Sequence, residues 1–317
     1  MIEPVVLAVD LGGSSMKGAV VTVGGLTVGG ETRRTPGSAI VDALVDLLRE
    51  LRSNAEALGH TVIGAGVVTP GIVNEDTGVV LYASNLDWRD LPLLDILQSH
   101  FPFPVAVGHD VRAAGRAEHL LGAARGAADF VLLPIGTGVA AALITDSTTV
   151  TGATGAAGEV GHIPVVPGGE LCTCGQRGCL EVYVSGAGLS RRYRQRTGRE
   201  LSAQQIVQLL GTDSAADEVW HDAVRVLAQG LAIMTLMLDP RIIVLGGGFS
   251  NAGEVLLSPV RAALKGGLTW RDTPEVVLSE LGGEAGRIGA AILAVQAAGE
   301  GAVVGRWSSA SLAHATT

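Results

Sequence analysis

The fold is decided by the stretch VVLAVDLGGSS, residues 5–15. The apolar run Val5 to Val9 is typical of a buried strand, and it leads directly into a polar glycine turn. The apolar pattern resumes from Gly18 to Val23, so the order is strand, turn, strand. Phosphate-binding P-loops and dinucleotide fingerprints both need a helix after the turn, so this arrangement excludes them.

The same order occurs a second time along the chain. The predicted strand Phe130 to Pro134 runs into Gly136-Thr137-Gly138, and a strand resumes from Val139 to Ile144. A third glycine run, Gly246-Gly247-Gly248, follows the predicted strand Ile242 to Leu245. Two copies of one hairpin predict two similar α/β domains that face each other.

We place the domain boundary near Asp110, where a predicted strand gives way to a predicted helix. Residues 1–110 then form a small first domain, and residues 111–287 form a larger one. We expect an apolar helix at about 288–299 to pack back onto the first domain. Residues 300–317 are small and polar without a period, which predicts a loose tail.

Both glycine turns are candidate phosphate cradles. Glycine allows consecutive backbone N–H groups to point at an anion, and the hydroxyls of Ser14 and Thr137 add donors. Asp10 stands at a strand end, where a carboxylate can hold Mg²⁺ through water. The candidate cradle residues are Asp10, Gly12, Gly13, Ser14, Lys17, Gly136, Thr137 and Gly138. A single glycine hairpin is more often an ordinary structural turn, so the prediction of phosphate binding depends on the presence of two such turns.

One histidine and all three cysteines of the chain form a candidate zinc site. His162, Cys172, Cys174 and Cys179 supply the imidazole and thiolates of a tetrahedral set. Four protein ligands leave no position for a reactive water, so this zinc would be structural. A disulfide would leave one cysteine over, and reduced thiols without metal remain an alternative. Glu159 and Glu181 flank the ligands, so a metal would fix two carboxylates nearby.

His109-Asp110 follows a predicted strand and begins a predicted helix. A carboxylate at that position is often only a helix cap. The alternative is a general base that takes a proton from a substrate hydroxyl. Asn85, in a polar turn, is either a turn residue or a hydrogen-bond partner for a hydroxylated ligand.

Composition narrows the possible partners. The chain has 317 residues and a net charge of −9, with no basic cluster. Nucleic acid and anionic membranes are therefore poor partners. No apolar run approaches the roughly 20 residues of a membrane span. Reduced cysteines without a secretory signal predict the cytoplasm.

Taken together, these motifs resemble the ROK family of sugar kinases and repressors, in order from about residue 5 to residue 298. The length and layout are similar to those of the family's bacterial glucokinases. The residues that carry the resemblance are Asp10-Leu11-Gly12-Gly13-Ser14 through Lys17, Pro70-Gly71, Asn85-Leu86, Asp110, Gly136-Thr137-Gly138, Gly158-Glu159-Val160-Gly161-His162 and the Cys172, Cys174, Cys179 and Glu181 cluster.

The resemblance implies an actin-like (ribonuclease H-like) α/β fold, a two-domain ATPase fold with a sugar cleft between the domains. It implies a hexose kinase that uses ATP with Mg²⁺, contains structural Zn²⁺ and forms a homodimer or homotetramer. Asp110 would be the catalytic base. The sugar would be bound by Gly71, Asn85, His109, Asp110, Glu159, His162 and Glu181. The two cradles would hold the ATP phosphates, and Gly246, Gly247 and Gly248 would line the adenosine site.

Three positions depart from the family pattern. His109 stands where the family usually has Asn, so the sugar need not be glucose. The run Val139 to Ala142 replaces a glycine-rich segment, which puts close packing there in question, and Ser14 stands where Thr is usual. A sugar-responsive repressor is the competing function, but such repressors carry a helix-turn-helix ahead of the first glycine turn, and here Asp10 arrives at once. A sugar-binding protein without catalysis is the third possibility.

Overall fold

The computed structural model describes residues 3–312. Its strands are β1 (Val5–Leu11), β2 (Ser15–Thr22), β3 (Thr27–Arg34), β4 (Val62–Thr69), β5 (Ile72–Asn74), β6 (Val79–Ala83), β7 (Trp88–Leu91), β8 (Val105–His109), β9 (Phe130–Pro134), β10 (Ala142–Thr145), β11 (Thr148–Thr149), β12 (Ile242–Gly246) and β13 (Glu275–Leu278). Its helices are α1 (Ile40–Ala57), α2 (Leu93–His100), α3 (Asp110–Leu121), α4 (Leu180–Val184), α5 (Gly186–Thr197), α6 (Ala203–Gln208), α7 (Ser214–Leu238), α8 (Glu254–Gly267), α9 (Ala285–Ala297) and α10 (Ser309–Leu312).

The chain divides into two compact units. The first comprises the chain up to Gly126, the segment Thr151–Ala157 and the chain from Glu284 on. The second comprises Ala127–Val150 and Gly158–Gly283. The boundary predicted at residue 110 therefore falls one helix too early, because α3 packs on α9 within the first unit.

The two units have five-stranded sheets of matching order. The first sheet runs β3-β2-β1-β4-β8, and the second runs β11-β10-β9-β12-β13. In each sheet an antiparallel hairpin extends one side of the central strand, and parallel strands extend the other. The repeated strand–turn–strand pattern of the sequence thus corresponds to a repeated sheet, and the predicted α/β class is confirmed.

Amphipathic helices cover the first sheet. Helix α1 buries an apolar stripe that includes Leu44, Leu48 and Leu51, and α9 packs against β1 and β4. The residue before α1 is Ala39, in a left-handed conformation, and it has no side-chain cap bond. A smaller sheet, β5-β6-β7, follows β4 in the same unit.

The chain after α9 is ordered through Leu312. A short 3-10 turn spans Gly301–Arg306, and the indole N–H of Trp307 donates to the Val23 carbonyl at 2.8 Å. The Thr27 hydroxyl donates to the Leu312 carbonyl at 2.9 Å. The predicted loose tail was therefore wrong as far as Leu312, because hydrogen bonds at Trp307 and Leu312 anchor the segment. Residues 313–317 lie outside the described residues. Each helix within residues 3–312 is too short or too polar to cross a lipid bilayer.

Candidate active site

The first glycine turn joins β1 to β2 and is held from one side. Gly12 N–H donates to the Ser15 carbonyl at 2.8 Å. Thr35 fixes the turn by donating its hydroxyl to the Gly12 carbonyl at 2.6 Å and its N–H to the Ser14 carbonyl at 3.0 Å. Gly13 and Ser14 are exposed. The turn is thus a braced loop with an open face, and Thr35 is a support that no sequence pattern indicated.

Asp10, at the end of β1, lies in a crowded carboxylate cluster. It is the direct cross-strand neighbour of Lys17. A Cβ at Gly286, in the first turn of α9, would lie 2.6 Å from its Oδ2, so only glycine leaves room for this carboxylate. Burial, together with the charge of Asp110, raises the pKa of Asp10 to about 7 against the opposing charge of Lys17. A carboxylate in this state favours a nearby cation.

Asp110 is the first residue of α3, but it does not cap that helix. His109 is the cap: its Nδ1 accepts from the Arg112 N–H at 3.3 Å. The same Nδ1 lies 3.6 Å from Asp110 Oδ1, and Oδ1 accepts from the Val111 N–H at 2.6 Å. Burial raises the pKa of Asp110 to about 6. With the capping role taken by His109, a carboxyl with a pKa near 6 is left for proton transfer.

His109 itself is buried, with 5% of its surface exposed. Because Nδ1 accepts a backbone hydrogen bond, the neutral ring carries its proton on Nε2. A contact from His109 to a ligand would therefore come from the Nε2 edge.

The candidate sugar residue Asn85 lies beside the first glycine turn. A Cβ at Gly13 would lie 3.4 Å from Asn85 Cβ. Gly71 stands at the turn between β4 and β5 with φ of +107°. Its Cβ would overlap the Tyr82 carbonyl of β6, so the turn and the strand that leads to Asn85 are in backbone contact. The structure thus brings together Gly13 and Asn85, two predicted site residues that are 72 positions apart in sequence.

Sequence reasoning missed an ion-pair network beside Asp110. Glu75 Oε1 accepts from Arg112 Nε at 2.8 Å and from the His109 N–H at 3.2 Å. Its Oε2 accepts from Arg116 at 2.7 Å. The spacing of Arg112 and Arg116, i and i+4 on α3, was visible in the sequence, but their shared partner is more than 30 residues away.

In the second unit the two other glycine loops meet at Ile135. The Ile135 N–H donates to the Gly246 carbonyl at 2.9 Å, and its carbonyl accepts from the Phe249 N–H at 3.1 Å. Ile135 directly precedes Gly136-Thr137-Gly138, and Gly246-Gly247-Gly248 ends β12. Gly136 and Gly248 both have open space where a side chain would be. The two loops therefore form one glycine-lined edge of the second sheet.

Glu181 connects the cysteine cluster to the Gly136–Gly138 loop. It lies on α4, which begins directly after Cys179. Its Oε2 accepts from the Val139 N–H at 2.9 Å, and a Cβ at Gly138 would lie 3.1 Å from that oxygen. One carboxylate oxygen of Glu181 thus supports the loop.

The segment Gly158-Glu159-Val160-Gly161-His162 packs against the residues between the same loop and β10. Cβ atoms at Gly158 and Gly161 would overlap the carbonyl oxygens of Ala141 and Val139, respectively. The Ala141 N–H donates to the Gly158 carbonyl at 2.7 Å. The close approach is therefore achieved although residues 139–142 lack glycine, because the glycines lie on the opposing segment. Glu159 directly precedes the short 3-10 turn that ends at His162.

The four predicted zinc ligands come together. The ligand atoms of His162, Cys172, Cys174 and Cys179 all lie within 4.8 Å of one another. Cys172 Sγ is 3.8 Å from His162 Nδ1, and Cys174 Sγ is 3.7 Å from Cys179 Sγ. Zinc–sulfur bonds of about 2.3 Å in a tetrahedron place ligand atoms about 3.8 Å apart. The set fits zinc, with Nδ1 as the histidine ligand.

The thiols of this cluster differ in acidity. Burial raises the pKa of Cys179 to about 12, while the N–H of Gln176 lowers the pKa of Cys174 to about 7. A buried thiol of this kind ionises when a cation takes the place of its proton. All three cysteines are free thiols, so no two of them form a disulfide.

Comparison with known proteins agrees with this architecture. A glucokinase of Halalkalibacterium halodurans is 34% identical over 312 residues, which cover 92% of this chain and 94% of that protein. The crystal structure of a ROK family glucokinase from Streptomyces griseus, in complex with glucose and AMPPNP, is 33% identical and superposes with a TM-score of 0.81. That likeness covers 92% of this chain and 99% of the other.

Regulators are also similar to this chain. The DNA-binding transcriptional dual regulator NagC of Escherichia coli is 29% identical over 265 residues, which are 79% of this chain and 64% of the regulator. The likeness to sugar kinase structures establishes the predicted actin-like fold. The profile of the ROK family matches residues 6–297. The chain therefore belongs to the ROK family.

Proposed function

We propose that this protein is an ATP-dependent sugar kinase that phosphorylates the 6-hydroxyl of glucose or a related hexose. Asp110 is the general base in this proposal. The observation that carries it is the state of Asp110: His109 caps α3 in its place, and burial raises its pKa to about 6. A base of that pKa is unprotonated at neutral pH and can accept the proton of an attacking hydroxyl.

ATP and its Mg²⁺ are assigned to the glycine loops. We expect the exposed turn at Gly12, Gly13 and Ser14, with Lys17, to take the phosphates together with Gly136, Thr137 and Gly138. Gly246, Gly247 and Gly248 are the proposed adenosine residues. When bound, Mg²⁺ would neutralise charge on the phosphates, and Asp10 would hold it through water because the Asp10 carboxylate lies beside Asp110 and favours a cation.

The sugar hydroxyls are assigned to polar side chains. Asn85, His109, Glu159, His162 and Glu181 would bind the sugar, and Gly71 would shape the turn beside Asn85. Carboxylates accept hydrogen bonds from hydroxyls, and Glu181 has a second oxygen beyond the one that supports Val139. Because Nδ1 of His162 faces Cys172, its Nε2 edge is the one left for a sugar.

Zinc would have a structural role in this proposal. It would be held by His162 and the three cysteines, and its bonds would close the segment between His162 and α4. That closure orients the His162 ring and sets the start of α4, where Glu181 lies. A homodimer or homotetramer remains a prediction.

The test is release of ADP by the purified protein with ATP and Mg²⁺ over a panel of hexoses and N-acetylhexosamines. We expect rapid release with glucose or a close relative and little with sugars that lack a free 6-hydroxyl, such as 6-deoxyglucose. A His109→Asn variant should change the ranking of the sugars. If sugars with a free 6-hydroxyl bind but none of them causes ADP release, the kinase is contradicted and the sugar-responsive regulator is favoured.

A further inference from the structure

Arg112 is a fully buried arginine beside the proposed base. Only 1% of its surface is exposed. Nε donates to Glu75 at 2.8 Å, Nη1 donates to the Gly155 carbonyl at 2.9 Å, and Nη2 donates to the Val73 carbonyl at 2.9 Å. A guanidinium bonded in three directions cannot reorient without breaking buried hydrogen bonds, so it is a rigid point in the first unit.

Two of the groups that Arg112 reaches are close to the chemistry. Its backbone N–H donates to Nδ1 of His109, the residue before the base. Gly155 belongs to the segment Thr151–Ala157, which ends two residues before the proposed sugar ligand Glu159 in the chain. Glu75 completes the arrangement by accepting from both Arg112 and the His109 N–H. The His109 backbone is therefore held by Glu75, and the Arg112 side chain acts on it through its ion pair with Glu75.

We propose that Arg112 and Glu75 are positioning residues that fix the orientation and the charge state of the Asp110 carboxylate. The inference rests on the proposed function of Asp110 as base. Neither residue needs to contact the sugar, and both act through His109 and through the electric field at Asp110.

The two charges act on Asp110 in opposite directions. The positive charge of Arg112 lowers the pKa of Asp110 against the larger effect of burial. Burial raises the pKa of Glu75, but the Arg116 and Arg112 guanidinium groups outweigh it and hold the pKa below its usual range. The negative charge of Glu75 should therefore offset part of the effect of Arg112 on Asp110. The charged and titratable groups around Asp110 are His109, Arg112 and Arg116 on or beside its own helix, Glu75 after β5, Asp10 of β1, Lys17 of β2, and Glu284 and Arg287 at the start of α9.

The experiment is the pH dependence of kcat/KM for the preferred sugar in wild type, Arg112→Met and Glu75→Gln. Arg112→Met removes the positive charge and leaves Glu75 charged. The acid limb of its pH profile should therefore move up by about half to one pH unit. Glu75→Gln keeps the shape but removes the anion, so its acid limb should move down. Two opposite shifts cannot come from general loosening of the fold.

Arg116→Met is the matched control, because Arg116 bonds to the other oxygen of Glu75 and its side chain is 30% exposed. Its acid limb should stay with the wild type. Should Arg112→Met fail to fold, the downward shift of Glu75→Gln still decides the matter. Acid limbs that coincide in wild type and Glu75→Gln would overturn the proposal.

Asp110→Asn separates this proposal from the function it rests on. If that variant keeps wild-type turnover, Asp110 is not the base and both proposals fail. If it is inactive while the acid limbs coincide, only the positioning role is overturned.

Discussion

The carboxyl groups of Asp110 and Asp10 are both shielded from solvent. The pKa of Asp110 is raised to about 6, and the pKa of Asp10 is raised to about 7. In each case burial is the main cause, and the charge of Asp110 adds to the effect at Asp10. Charged groups held in such surroundings cost folding stability and are typical of active sites. At the residue scale, the destabilising carboxyl groups are those that would accept a proton, at Asp110, and hold a cation, at Asp10.

The cost can be measured with Asp110→Asn. A pKa raised in the folded state means that the contribution of the acid form to stability is present below about pH 4 and is lost as pH rises through about 6. Near pH 7.5 the variant should therefore be more stable than wild type by about 1 to 2 kcal/mol in urea denaturation. The gain should shrink toward pH 4.

Asp46→Asn, at an exposed position of α1, is the control and should show no such trend. A stability difference for Asp110→Asn that does not change with pH would contradict the raised pKa.

The sequence left Asp110 as either a cap or a base, and the structure assigns the cap to its neighbour His109. A histidine cap cannot be read from sequence, because it depends on the ring orientation that places Nδ1 toward the Arg112 N–H. Glu75 and Thr35 were missed for a related reason. Their partners lie in other elements, and no local spacing records such contacts.

At the scale of elements, the cysteine cluster is a support for α4. Backbone bonds close it: the Cys172 N–H donates to the Gln176 carbonyl at 2.8 Å, and the Leu180 N–H donates to the Ile163 carbonyl at 3.0 Å. Glu181 then reaches the Gly136–Gly138 loop. Loss of metal should therefore disturb the loop as well as the cluster.

Metal analysis tests this element. We expect about one zinc per chain in the purified protein. Cys179→Ser should lose the zinc and lower the melting temperature, because structural zinc binding contributes several kcal/mol to folding. Arg177→Ala, an exposed change within the same segment, should keep both. An active, fully stable preparation without zinc would refute the structural metal.

Strongly patterned elements could be predicted from the sequence. The strands around both glycine turns were confirmed, since buried apolar runs are local signals. The residue that precedes α1 and the ordered segment after α9 could not be predicted. A left-handed Ala39 has no sequence signature, and Trp307 stands alone among small residues, so its contact with Val23 gives no period.

At the scale of the whole molecule, successive segments of the chain belong alternately to the two compact units. The first unit is completed by Thr151–Ala157 and by the chain from Glu284 on. The internal repeat could be predicted because the two hairpins share one sequence pattern. The two segments that complete the first unit could not, because no linker-like sequence sets them apart. Only their packing, such as α9 against β1, β4 and α3, assigns them to the first unit.

The central claim is that Asp110 takes the proton from the sugar hydroxyl. The most direct measurement compares wild type and Asp110→Asn for ADP release at saturating sugar and ATP, together with calorimetric titration of the sugar. We expect kcat to fall by about 10² to 10⁴-fold while the sugar Kd changes by no more than about threefold. Turnover near that of the wild type in a correctly folded Asp110→Asn protein would contradict it.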